Sequence, residues 1–169
     1  MLDNRILPRV PTQTQPGSEY PTPFASRRIE IPAVDAKFRA IMFRMAPHHS
    51  PRFLDVVKDA KQRVREVTVD DVMQMLDSNP DFLLIDVRED NEWTKDHLPA
   101  AVHLGKGILE RDVEQRVPDL STPLVLYCGG GFRSALAADA LQRMGYTNVA
   151  SMDGGIREWR EKGFPLTSD

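Results

Sequence analysis

The chain has one cysteine in 169 residues, Cys128, so it can form no disulfide within itself. Nor can cysteine alone build a thiol-ligated zinc site. No apolar run approaches the roughly 20 residues a membrane span needs, and no membrane partner is expected. The first thirty residues hold no apolar core segment, so no secretory signal is expected there. With so little cysteine, a reducing compartment fits best, and a cytoplasmic location is expected. There is no internal repeat. No stretch interleaves aromatic with basic side chains, which argues against a nucleic-acid partner. What remains is 41% hydrophobic and 28% charged, the balance of a globular chain and not of a disordered one. Its length suits one ordinary domain with an extension.

The charge is unevenly placed. Residues 1–66 hold twelve Lys and Arg against seven Asp and Glu, whereas residues 67–169 hold ten against eighteen. Opposite charge on two parts of one chain favours docking of the first part on the second, or on a neighbouring copy. A homo-oligomer formed through the N-terminal extension is therefore one expectation. Residues 1–33 carry prolines at 8, 11, 16, 21, 23 and 32, which fix φ and remove donors. They read as an extended proline-rich arm. Residues 34–66 read as a helical extension: "VDAKFRAIMFRMAP" has helical spacing stopped by Pro47, and "SPRFLDVVKDAKQRVREV" starts with Ser50 as cap and Pro51 at the first helical position.

From Thr68 the pattern changes. "TVDD" is a capping-box start with Val72, Met73 and Leu76 facing inward. "FLLIDV", "AVHL", "PLVLYC" and "NVASM" then alternate with the helical stretches "REDNEWTKDH", "GILERDVEQRV", "RSALAADALQRM" and "GGIREWREKG". Apolar strands alternating with helices predict an α/β domain over 67–166, a parallel sheet with helices on both faces.

Cys128 stands where the buried strand "PLVLYC" ends and "GGGF" begins, ahead of Arg133 and Ser134 at a helix start. In an open parallel sheet, sites form beyond the carboxyl ends of the strands. Three glycines let successive backbone N–H groups turn inward around an anion. The helix N-terminus and Arg133 add positive charge. Together they favour a thiolate nucleophile at Cys128. The plainer alternative is a small buried hydrophobe followed by a turn.

The stretch "LYCGGGFRSALAADALQRMGYTNVASMDGGIREW" resembles the active-site loop and C-terminal half of a rhodanese-like domain, the sulfurtransferase family. "LLIDVREDNEWTKDHLPAAVHL" resembles the family's other signature, with Asp96 and Ala100 in place of common glycines. The likeness spans about 67–166 and not residues 1–66. It implies a rhodanese-like fold and a sulfurtransferase that uses no cofactor. In that reading Cys128 takes a sulfane sulfur from thiosulfate or a persulfide, and a thiophilic acceptor removes it. The amides of Gly129, Gly130, Gly131, Phe132, Arg133 and Ser134 hold the persulfide, and Arg133 helps receive an anionic donor. Asp86 and Arg88 tie neighbouring loops together.

The four residues between Cys128 and Arg133 suit sulfur better than the five that related phosphatases and arsenate reductases use for an oxyanion. One alternative is a sulfur-carrier or interaction module serving a single protein donor or acceptor. A less favoured one is a phosphatase or arsenate reductase. His97 and His103 lack a surrounding ligand set, so no metal is expected. "GGIREW" reads as a tight turn, bordering the mouth of the site, into a helix packed by Trp159.

Overall fold

A computed structural model describes residues 49–78 and 81–168. The proline-rich arm and the helix expected over 34–45 lie outside the described residues. The elements in chain order are α1 (Pro51–Lys61), β1 (Arg65–Val67), α2 (Val69–Asp77), β2 (Leu83–Asp86), α3 (Asp90–Trp93) and β3 (Val102–His103). There follow α4 (Leu109–Arg116), β4 (Leu124–Tyr127), α5 (Phe132–Arg143), β5 (Val149–Met152) and α6 (Gly155–Glu161). Helix starts follow the sequence signals. The Ser50 side chain accepts from the Phe53 amide at 3.3 Å, with Pro51 in the first turn. Thr68 and Asp71 exchange both bonds of a capping box, at 3.1 and 2.8 Å.

All strand pairs are parallel, in the order β1-β5-β4-β2-β3. Being central, β4 is buried at every residue and feeds two cores by the alternation of its side chains. Leu124, Leu126 and Cys128 face one core with Leu109, Val113, Ala137, Ala138 and Leu141 from α4 and α5. Val125 and Tyr127 face the other with Val69, Val72, Ile156 and Trp159 from α2 and α6. This is why "LVLYC" reads as an uninterrupted apolar run: neither face meets water.

One sequence expectation is corrected. The helix that "SPRFLDVVKDAKQRVREV" predicts stops at Lys61, and Arg65–Val67 is a strand paired with Ala150–Met152 of β5. The segment is charged, with little periodicity to favour either state. The open hydrogen-bonding edge of β5 decides it, and that edge exists only in the assembled sheet.

Ala100, where the family commonly has glycine, sits at φ 61°. An L-residue in the left-handed region brings its Cβ against the following carbonyl oxygen. Ala100→Gly is therefore expected to stabilise the protein by about 0.5–1 kcal/mol, after the added freedom of the unfolded chain is deducted. The readout is a higher denaturant midpoint at unchanged slope. A lower midpoint would mean that the turn tolerates alanine without strain.

Candidate active site

Cys128 follows directly on the last residue of β4, and the sheet delivers it to the carboxyl edge while leaving it only 2% exposed. The loop Gly129–Gly131 then turns the chain into α5. Gly131 is the cap of that helix at φ 91°, and a Cβ there would lie 2.9 Å from Asp153 Oδ1. Only glycine meets both constraints.

The turn before α6 closes on this loop from below. Ile156 N–H donates to the Cys128 carbonyl at 2.9 Å, and Arg157 N–H to the Gly129 carbonyl at 3.1 Å. Gly155, at φ 58°, makes the approach possible. A Cβ there would overlap the Cys128 carbonyl oxygen and lie 2.7 Å from Gly130 N and 2.8 Å from the Gly129 carbonyl carbon. All three are backbone atoms, which cannot rotate aside. Gly155→Ala is expected to cost about 2–4 kcal/mol, from positive-φ strain plus displacement of the loop. Gly107→Ala, where a Cβ would meet nothing within 4 Å, is the matched control and should be near neutral. Equal denaturant midpoints for the two variants would contradict the close approach.

A hydroxyl chain reaches the sulfur from inside. Ser151 Oγ donates to Ser134 Oγ at 2.9 Å, and Ser134 Oγ donates to Cys128 Sγ at 3.6 Å. Both serines are fully buried. The sequence reading includes Ser134 but misses Ser151. Its signal was there, as one hydroxyl inside the otherwise apolar strand "VASM", Val149–Met152.

Arg133 is occupied. It forms a two-bond fork with Glu92, Nη1 to Oε2 at 2.6 Å and Nη2 to Oε1 at 2.9 Å, with Glu89 3.8 Å away. The bonded guanidinium holds the Glu92 carboxyl below the ordinary range, and the carboxylate pushes the Arg133 pKa up. The fork joins the first turn of α5 to α3 and neutralises much of the charge that the sequence offers to an anion.

Asp86 and Arg88 are buried together, at 0% and 2% exposure. Arg88 Nε bonds Asp86 Oδ2 at 2.8 Å and Nη2 bonds the same oxygen at 2.7 Å, while the Arg88 amide donates to Oδ1 at 2.9 Å. Nη2 also donates to the Asp96 carbonyl at 2.6 Å, and the Arg88 carbonyl lies 2.9 Å from His103 Nε2. The pair thus links the end of β2 to two neighbouring segments. Asp96 itself bonds Arg160 Nε at 3.1 Å, an ion pair that a glycine in its place would lack. His97 and His103 flank Trp93, stacked on its ring at centroid distances of 3.5 and 5.1 Å.

The site opens through a cleft of about 440 Å³ lined by Cys128, Gly129, Gly130, Arg133, Arg157 and three rings, His49, Phe53 and Phe132. That size lies within the range of small-molecule sites. Neither Arg157 nor the wall formed by His49 and Phe53 was marked as part of the site by the sequence reading. Phe53 carries the pattern of an ordinary inward helix position, and only the packing of α1 on α5 brings it here.

Among the described residues, no helix is long and apolar enough to cross a membrane. Comparison with known proteins agrees with this architecture. Residues 68–162 match the rhodanese-like domain. A sulfurtransferase of Allochromatium vinosum is 30% identical over 105 residues, 62% of this chain and 96% of that protein. The thiosulfate sulfurtransferase GlpE of Shewanella oneidensis is 30% identical over 97 residues, 57% of this chain and 93% of the relative. Other relatives are longer: the match spans 52% of a relative from Bacillus subtilis and 38% of one from Mycobacterium tuberculosis.

Among solved structures, the polysulfide-sulfur transferase homodimer of Wolinella succinogenes superposes with a TM-score of 0.60 at 30% identity, over 70% of this chain and 88% of that one. A protein of Rhodopseudomonas palustris described as a possible tyrosine phosphatase superposes with a TM-score of 0.62 at 27% identity, over 73% of this chain and 100% of that one. A five-stranded parallel sheet, a cysteine loop at its central carboxyl edge and a match over 68–162 lead to one assignment: the chain belongs to the rhodanese-like domain family, whose members include sulfurtransferases.

Proposed function

We propose that the protein moves a sulfane sulfur from an anionic donor to a thiophilic acceptor through a persulfide on Cys128. The observation that carries this is the placement of Cys128 Sγ at the base of an open cleft, within 3.6 Å of a buried hydroxyl donor and beside a loop free of side chains at three consecutive residues. The thiolate attacks the outer sulfur of the donor. An S–S bond forms to Cys128, and sulfite leaves when the donor is thiosulfate. Amides of Gly129 to Ser134 would carry the charge of the new terminal sulfur. A thiol or cyanide then takes that sulfur and returns the thiolate, so one cysteine suffices for both half-reactions. Relatives named as thiosulfate sulfurtransferases support the donor class. Asp86 and Arg88, within this reading, hold the loops beside the nucleophile in place.

Intact-mass measurement after exposure to thiosulfate tests the reading. The protein should gain one sulfur atom, located on Cys128, and lose it on addition of cyanide. No adduct with thiosulfate, polysulfide or an organic persulfide would defeat the proposal. The neighbour described as a possible tyrosine phosphatase suggests a second reading. The four-residue span between Cys128 and Arg133, and the engagement of Arg133 by Glu92, weigh against it. Aryl phosphate hydrolysis is accordingly expected to be absent.

A further inference from the structure

Sulfur transfer as proposed above gives the two buried hydroxyls beside Cys128 no step of their own. Ser134 is the third residue of α5 and Ser151 the third of β5, and both are 0% exposed. In the sheet Ser151 pairs with Leu126 of β4, two residues before the nucleophile. Val149, on the same face of β5, belongs to the core that holds Leu126, Ala138 and Cys128, so the Ser151 hydroxyl stands on the apolar side covered by α5. A hydroxyl buried there is costly unless it is bonded. Among the described residues the Ser151 hydroxyl has one partner, Ser134 Oγ at 2.9 Å, and the Ser134 hydroxyl gives its own proton to Cys128 Sγ at 3.6 Å.

Each hydroxyl has a single proton to give. A serine in a helix can turn that proton toward the carbonyls three or four residues back, here those of Gly131 and Gly130. By donating to Ser134 Oγ, Ser151 takes up a lone pair on it and polarises the Ser134 O–H bond toward the sulfur. We infer that Ser134 is a catalytic hydrogen-bond donor to Cys128 Sγ, and that Ser151 is the positioning residue that keeps the Ser134 proton on the sulfur.

The two half-reactions use this bond differently. When thiosulfate loads Cys128, the Sγ thiolate bonds the outer sulfur, sulfite leaves with the electron pair of the broken bond, and negative charge departs from Sγ. When cyanide unloads it, the cyanide carbon bonds the outer sulfur, the bond from that sulfur to Sγ breaks, and the electron pair returns to Sγ as thiocyanate leaves. A hydrogen bond to a charged acceptor is about twice as strong as one to a neutral acceptor. The bond from Ser134 therefore weakens on the way into loading and strengthens on the way into unloading. Only the second change accelerates a step. The inference rests on Cys128 carrying the persulfide and assigns the buried serines to its discharge.

Single-turnover measurements on the full chain separate the steps, with loading by thiosulfate and unloading by cyanide each followed by intact mass. Ser134→Ala should slow unloading about tenfold and loading by less than about threefold. Ser151→Ala should slow unloading about fivefold, again with the smaller effect on loading. In the Ser134→Ala background, adding Ser151→Ala should change unloading by less than about twofold, because the hydroxyl it acts through is gone. Each substitution removes only an oxygen atom, and denaturant midpoints report that the fold is kept. A merely structural role gives a different pattern, with loading and unloading slowed together and losses that add in the double variant. Either of those results, or unloading at the wild-type rate in Ser151→Ala, would overturn the inference alone. A wild-type protein that never gains sulfur would overturn the transfer reading as well, so the two failures are told apart.

Discussion

Cys128→Ser is expected to lower sulfur transfer from thiosulfate to cyanide by on the order of 10³-fold or more, with little change in stability. The substitution swaps sulfur for oxygen at a site 2% exposed, and Ser134 Oγ remains as a hydrogen-bond partner. Packing and polar satisfaction both survive. What is lost is the one atom able to form a persulfide at neutral pH, and the chain holds no other cysteine to replace it. Steady-state rates alongside denaturation curves give the two halves of this result. Turnover above one part in a hundred of wild type would remove Cys128 from the mechanism. A large loss of stability would mean that the sulfur serves packing instead.

The second large effect is on the fold. Arg88→Ala should cost about 3–5 kcal/mol, because it leaves the fully buried Asp86 carboxylate without its cation. A cavity alone would also destabilise, and a double variant separates the two causes. Asp86→Asn combined with Arg88→Met should recover much of the loss, since a buried pair removed as a unit leaves no orphaned charge. A single Arg88→Ala variant within 1 kcal/mol of wild type would show that Asp86 is not held as the contacts indicate.

These two residues differ in how legible they were. Cys128 stands out in the sequence because strand, glycine loop and helix start follow each other within a few residues, and each obeys local rules. The capping box at Thr68 and the turn "GGIREW" are legible for the same reason: their physics is confined to neighbours in sequence. Asp86 and Arg88 could be named from their signature, but their full burial depends on the Asp96 and His103 segments folding over them.

Arg133 shows a local reading overtaken by packing. Its place at a helix start beside the loop offers it to an anion, and the approach of α3 gives it Glu92 instead. Arg157 is the converse, an unremarkable charge in a helix that the closure of Gly155 on the Cys128 carbonyl carries onto the loop.

The sequence by itself determined the alternation of strands and helices from residue 68 onward, the glycine loop and the position of Cys128 at a strand end, since all depend on periodicity, φ and side chains within a few residues. Only the tertiary structure decided that residues 65–67 are a strand, that Ser151 continues the hydroxyl chain, and that Glu92 takes up Arg133. Each of these is settled by groups far apart in sequence competing for one partner, an open strand edge, a buried hydroxyl or a carboxylate. That competition takes place only once the sheet has brought the groups together.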